Sequence, residues 1–182
     1  METDSVKQGL AYLKQVRQLV LVPGMVELTN DINLRIQICD WIGKHVEEIN
    51  AQLKLCLESC HCCFHVAEQP SMQILAAPIA EPFGIDAFCN VQASPMTIVL
   101  DAGRVAPQDW LSAVAHEYAH GYLGRPGHDE HFSAVVAHLC LGLGLPVLPN
   151  RGPDWNGQLS NWPPYESLRD PLSFWLGVKS RP

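Results

Sequence analysis

Charge is sparse in this 182-residue chain, where Asp, Glu, Lys and Arg together make up 17% of the residues. Beside 47% hydrophobic residues, that scarcity excludes a disordered polyelectrolyte and leaves enough apolar material for one core. Basic residues are the scarcer sign, 12 against 19 acidic, for a net charge of −7 with His neutral. A broad Lys/Arg surface for phosphate-driven nucleic-acid binding is therefore missing. No apolar run approaches the roughly 18 residues that a bilayer span needs. The start, Met1-Glu2-Thr3-Asp4, lacks the basic and apolar regions of a secretory signal. Paired cysteines are not evident either: there are seven, an odd count, which argues for free thiols in a reducing compartment. These absences predict a cytoplasmic globular protein with no membrane segment.

What is present divides into helical and extended stretches. Leu10, Leu13, Val16 and Leu19 recur at helical spacing between Ser5 and Val20, and Pro23-Gly24 breaks the pattern. Thr29 or Asn30 then offers an N-cap for a longer helix with Ile32, Ile36, Cys39, Ile42, Val46, Ile49 and Leu53 on one face. Short apolar stretches follow at Phe64-Val66, Met72-Ala76, Ala87-Val91 and Thr97-Leu100, separated by Pro, Gly or Asn. That pattern predicts a small, mainly antiparallel sheet. Two more helices are expected, from about Gln108 to Leu123 and from about Asp129 to Leu143, with Gly124 and Pro126 ending the first. The second presents Phe132, Val135, Val136, Leu139 and Leu143 inward. The stretch 146–182 carries seven of the 14 prolines and three of the five tryptophans. We expect one α+β domain over 1–145 and an irregular arm over 146–182 packed on it.

The chemistry concentrates in His116-Glu117-Tyr118-Ala119-His120, an H-E-x-x-H motif inside the Gln108–Leu123 helix. Four residues are just over one helical turn, so both imidazoles leave the same face about 6 Å apart along the axis. Two nitrogens so placed can hold one zinc ion. Glu117 lies about 100° round the helix from His116, close enough to reach a zinc-bound water without ligating the metal. Zinc brings the pKa of that water towards about 7, and the carboxylate takes its proton during attack on a carbonyl. A catalytic zinc also needs a third protein ligand and an open position. The stretch after the helix offers His128 at the start of the next helix, where Gly124 and Gly127 let the chain reverse. His131, Asp129 and Glu130 are the competitors for that place.

His116-Glu117-x-x-His120 followed by Gly127-His128-x-x-x-Phe132 resembles the SprT-like and WLM zinc metallopeptidases. The resemblance covers about Thr97 to Leu143. It implies a zincin-like domain of N-terminal helices, a small sheet, the H-E-x-x-H helix and a following helix. It further implies His116, His120 and His128 as zinc ligands, Glu117 as catalytic base and Phe132 as a core anchor. By the same resemblance, Thr97-Ile98-Val99-Leu100 would border the cleft and pair with an extended peptide, the weighed alternative being an ordinary core strand. The chain departs from that group in lacking a C-terminal zinc ribbon. Its net charge of −7 separates it from the DNA-dependent members. The metzincin spacing is absent too, since Leu123 and Pro126 stand where Gly and His would be.

Other features carry weaker expectations. Cys56-x-x-x-Cys60-His61-Cys62-Cys63-x-His65 is dense in soft ligands, yet as a strand it would place Cys60, Cys62, Phe64 and Val66 on a core face. Tyr118 and Tyr122 are candidates to stabilise an oxyanion, and packing is the alternative for both. The leading expectation is thus a zinc-dependent metallopeptidase, a hydrolase acting on a peptide or protein substrate. Two alternatives stand beside it. One is a YbeY-like metal-dependent endoribonuclease, whose motif lacks the glutamate after the first His; the other is a non-catalytic zinc-binding or interaction protein. A peptide deformylase fits less well, because no Glu-Gly-Cys-type ligand motif occurs.

Overall fold

The structure, a computed structural model, describes residues 3–146 and 162–178. Helices α1 (Asp4–Leu19) and α2 (Ile32–His61) form an N-terminal pair. Strands β1 (Met72–Ala76), β2 (Ala87–Asn90) and β3 (Met96–Leu100) follow, then α3 (Trp110–Leu123), α4 (Glu130–Leu143) and the short α5 (Pro171–Trp175). The outcome is an α+β fold. No helix among the described residues is long and apolar enough to cross a membrane.

The N-terminal pair packs backbone to backbone. A Cβ added to Gly9 would lie 2.0 Å from the carbonyl oxygen of Cys39, and one added to Gly43 would lie 1.9 Å from that of Ser5. Both glycines are therefore fixed by close helix approach. The α2 cap is Asp31, one or two residues beyond the expected Thr29 or Asn30; its carboxylate accepts from Asn33 N at 2.8 Å and Leu34 N at 3.2 Å. Cys39, Ile42, Val46, Ile49 and Leu53 are buried as the periodicity requires, whereas Ile32 and Ile36 are exposed on the first turns. Helix α2 also runs on to His61, and its end is a turn through Phe64 rather than a strand. The expected strand Phe64-Val66 does not form, because backbone bonds from Cys63 N to Cys60 O and Phe64 N to His61 O extend the helical turn instead.

The sheet differs from the expected meander. Its order is β1-β3-β2, with β1 parallel and β2 antiparallel to β3. Alternating apolar residues identify strands but do not choose their partners. Here the stretch 77–86 carries the chain past β3, so β2 occupies the far edge and β3 returns to the centre. Ile98, Val99 and Leu100 on β3 are fully buried.

Helix α3 is buried along most of its length and lies against the sheet and α2. Gly121 lets it come close, since a Cβ there would sit 2.3 Å from Met72 Cε and 3.3 Å from Cys89 Sγ. Gly124 ends α3 in the left-handed conformation at φ 65°. Of the expected C-terminal arm, 147–161 and 179–182 lie outside the described residues. Residues 162–178 run over the domain: Leu168 N donates to Arg104 O at 2.8 Å, and the fully buried Trp175 donates from Nε1 to Asp101 Oδ1 at 2.8 Å. Asp101 also accepts from Ile79 N and Gly103 N, both at 2.9 Å, so one buried carboxylate ties three segments together.

Candidate metal centre

Helix α3 presents His116 and His120 on one face, with ring centroids 5.1 Å apart. The chain reverses through Gly124 and through Gly127, whose φ of 104° lies in a region open to glycine. His128 thereby returns to the same face. Asp129 follows it as the α4 cap, accepting from His131 N at 3.0 Å and Phe132 N at 3.1 Å, and this fixes where His128 leaves the helix. Nε2 of His128 lies 3.1 Å from Nε2 of His116, and one ring nitrogen from each of the three histidines falls within 4.8 Å of the others.

These distances suit a single tetrahedral ion. Two nitrogens each ~2.05 Å from zinc at a tetrahedral angle lie about 3.3 Å apart. Protonation state suits it as well. Burial pushes His116 down to about 3, aided by His120 and His128 and opposed by the Trp162 backbone. Burial and then His128 push His120 down to about 4, and burial lowers His128. All three are neutral imidazoles near pH 7, which is the ligating form. The buried Nδ1 atoms of His116 and His120 make no close hydrogen bond among the described residues, and the backbones of Trp162 and Arg125 act on the two rings only weakly against burial. Packing orients the rings instead: fully buried Phe132 has its ring 5.0, 4.6 and 4.6 Å from those of His116, His120 and His128.

The competitors for the third place are turned elsewhere. His131 has a 77% exposed side chain and leans towards Asp129, at 3.9 Å. Asp129 is engaged with Arg125 at 2.5 Å and with the α4 cap. Among the described residues, only His116, His120 and His128 form a group able to hold a metal.

The triad opens into a cleft of about 650 Å³ that Glu117 also lines. Glu117 is 8% exposed, and burial pushes its carboxyl up to about 8 against a hydrogen bond from the Cys89 backbone. The opposite wall is β2; of the two readings weighed for residues 97–100, the structure shows the core strand and not the cleft edge. Thr97, Ile98, Val99 and Leu100 are paired on both sides and none reaches the cleft, whereas Ala87, Phe88 and Cys89 line it. The remaining wall comes from Trp162, Pro163, Tyr165 and Ser167. Trp162 is buried, its Nε1 has no partner among the described residues, and its ring lies 6.3 Å from that of His116. The chain matches no family model, no curated protein and no solved structure.

Tyr118 and Tyr122 stand apart from the cleft. Tyr118 is fully buried with its hydroxyl 3.0 Å from His61 Nδ1, and Phe64 stacks on both tyrosine rings. They pack α3 onto the end of α2. The cysteine-rich stretch is that helical end, so the strand faces expected for it do not exist. Cys60 is buried and Cys62 exposed, and burial raises the thiols of Cys56, Cys60 and Cys63. Neutral thiols are poor metal ligands. His138 Nε2 lies 2.7 Å from Cys63 O, a packing role. Tyr165, Trp162 and Asp86 are the cleft residues that sequence reasoning missed. They sit outside any motif, and no local signal marks them.

Proposed function

We propose that this chain is a zinc-dependent metallopeptidase of zincin-like architecture acting on a peptide or protein substrate. One observation carries the reading: three imidazoles converge beside a buried glutamate in an open cleft. Three nitrogen donors with room for another ligand suit zinc among the biological divalent ions. His116, His120 and His128 would hold the ion. When bound, zinc supplies a Lewis acid and a water acidified to near neutrality.

The rest of the work falls to the chain. In its ionised form, which a cation held by the histidines would favour, Glu117 accepts a proton at its carboxylate, made more basic by burial, and can return it to the leaving amine. The Cys89 N–H holds that carboxylate in place from the sheet edge. Backbone alternation supplies a substrate track. Asp101 N donates to Asp86 O, so alternate residues 86, 88 and 90 face β3 and residues 87 and 89 turn their backbone groups outward. An extended peptide can pair with the outward carbonyls of Ala87 and Cys89. Phosphate recognition has less support, because no Lys or Arg occurs among the described residues lining the cleft. Seven cysteines, none of them in a disulfide, accord with a cytoplasmic setting.

The test is metal analysis and peptide hydrolysis on the wild type and three variants. Glu117→Gln should keep stoichiometric zinc and lose a factor of about 10²–10⁴ in kcat. His128→Ala should lose the metal, while His131→Ala keeps it. Undiminished hydrolysis by Glu117→Gln would overturn the reading.

A further inference from the structure

We propose that Asp86 forms a cation subsite in the cleft, taking an ammonium or guanidinium group of the substrate; this rests on the peptidase reading and names its substrate class. Asp86 immediately precedes β2, and its carbonyl is fixed by Asp101 N at 2.8 Å. Its half-buried side chain lines the same cleft as Glu117 and the histidines. The Ser167 hydroxyl donates to Asp86 Oδ2, and the Tyr165 hydroxyl bonds the same carboxylate. Both partners come from the C-terminal segment, so the carboxylate is held in position from across the cleft.

Two hydroxyl donors orient a carboxylate without neutralising it. An ionised carboxylate offers about four acceptor positions, which leaves room for a further donor. No ion pair to Asp86 occurs among the described residues, and no Lys or Arg lines the cleft there. Among the described residues the charge thus faces the cavity without a counter-charge. The surroundings suit an organic cation rather than bulk water: Tyr165, which bonds Asp86, also lines the cleft with its aromatic side chain. A cation set between a carboxylate and an aromatic ring gains both a charge-assisted bond and cation–π attraction. The chain's net charge of −7 also favours the approach of cationic peptides. A lysine or arginine side chain and a free peptide N-terminus carry the same chemistry, and the experiment separates them.

Binding can be read without turnover by titrating peptides into the full chain stripped of metal with a chelator, using calorimetry. The probes are acetyl-Ala-Ala-Lys-Ala-Ala-amide, its norleucine counterpart, and the norleucine peptide with a free N-terminus. At least one cationic probe should bind about tenfold more tightly than the capped norleucine peptide, the scale of one charge-assisted hydrogen bond. Preference for the lysine probe assigns a side-chain subsite, and preference for the free amine assigns the peptide N-terminus. Asp86→Asn should abolish the preference. The double variant Tyr165→Phe, Ser167→Ala, which keeps the carboxylate and removes its tethers, should retain it. Equal binding of all probes, no binding, a preference that survives Asp86→Asn, or one lost as fully in the tether variant would each overturn the subsite. Cleavage of the same peptides by the zinc-loaded chain decides the peptidase reading separately.

Discussion

Replacing Gly43 by alanine sets two magnitudes against each other. In an isolated helix the change is favourable by about 1 kcal/mol, because glycine loses more backbone entropy on folding. In this fold the new Cβ would lie 1.9 Å from Ser5 O and 2.7 Å from Ser5 C. Both are backbone atoms of α1, so no side chain can swing away. A carbon next to a carbonyl oxygen settles at about 3.3 Å, and the two helices would have to part by over ~1 Å. A gap of that order forfeits about a quarter to a half of each contact's dispersion energy. The helices bury Val6, Leu13 and Val16 on one side and Cys39, Ile42 and Val46 on the other. If these six side chains each lose about a quarter of roughly 2 kcal/mol, the loss is about 3 kcal/mol. The clash therefore wins, leaving a net destabilisation of about 2 kcal/mol. Urea unfolding should show a midpoint about 1 M lower, with an unchanged slope of ~2 kcal/mol/M. Gly24→Ala is the control: nothing lies within 4 Å of its added Cβ, and its midpoint should barely move. A Gly43→Ala protein as stable as the wild type would refute the close helix crossing.

Two further outcomes test the supports of the site. Asp101→Asn should destabilise by about 3 kcal/mol in urea, because whichever way the amide turns, its NH₂ faces donors now served by a carboxylate oxygen. A loss below about 1 kcal/mol would show that Asp101 does not tie the C-terminal segment to the domain. Tyr12, whose hydroxyl donates to Ala76 O at 2.7 Å, is pushed up to about 12 by burial, against its bonds to Asn50 and Ala76. The raised value means that the native state holds the phenolic proton more tightly. Its contribution is complete below about pH 10 and is lost as pH rises towards about 12. Thermal melts of Tyr12→Phe should decline less steeply than the wild type across that window; parallel declines would remove Tyr12 as the cause.

The readable parts of the chain were those governed by local rules. The α3 and α4 boundaries follow from Gly124, Pro126 and the Asp129 cap, which act within a few residues of themselves. The placement of His116 and His120 on one face follows from helical pitch alone. Elements whose state depends on competition were read less well. Phe64-Val66 has strand-like residues, but they directly follow a long helix whose last carbonyls capture the N–H groups of Cys63 and Phe64. Ile32 and Ile36 fit the apolar period, yet no described residue covers them and both stay exposed.

Taken alone, the sequence determined the donor chemistry: which helix carries two imidazoles and a glutamate, and that a turn with two glycines brings a third histidine within reach. Those are consequences of spacing, and spacing survives in any fold that keeps the helix. Only the tertiary structure decided that β2 rather than β3 borders the cleft, since strand partners depend on how the intervening chain crosses the sheet. It also chose His128 over His131, because the α4 cap aims one ring at α3 and leaves the other in solvent. And it brought Asp86 together with Tyr165 and with Ser167, the latter 81 positions away in the chain, a meeting that rests on long-range packing and leaves no local mark.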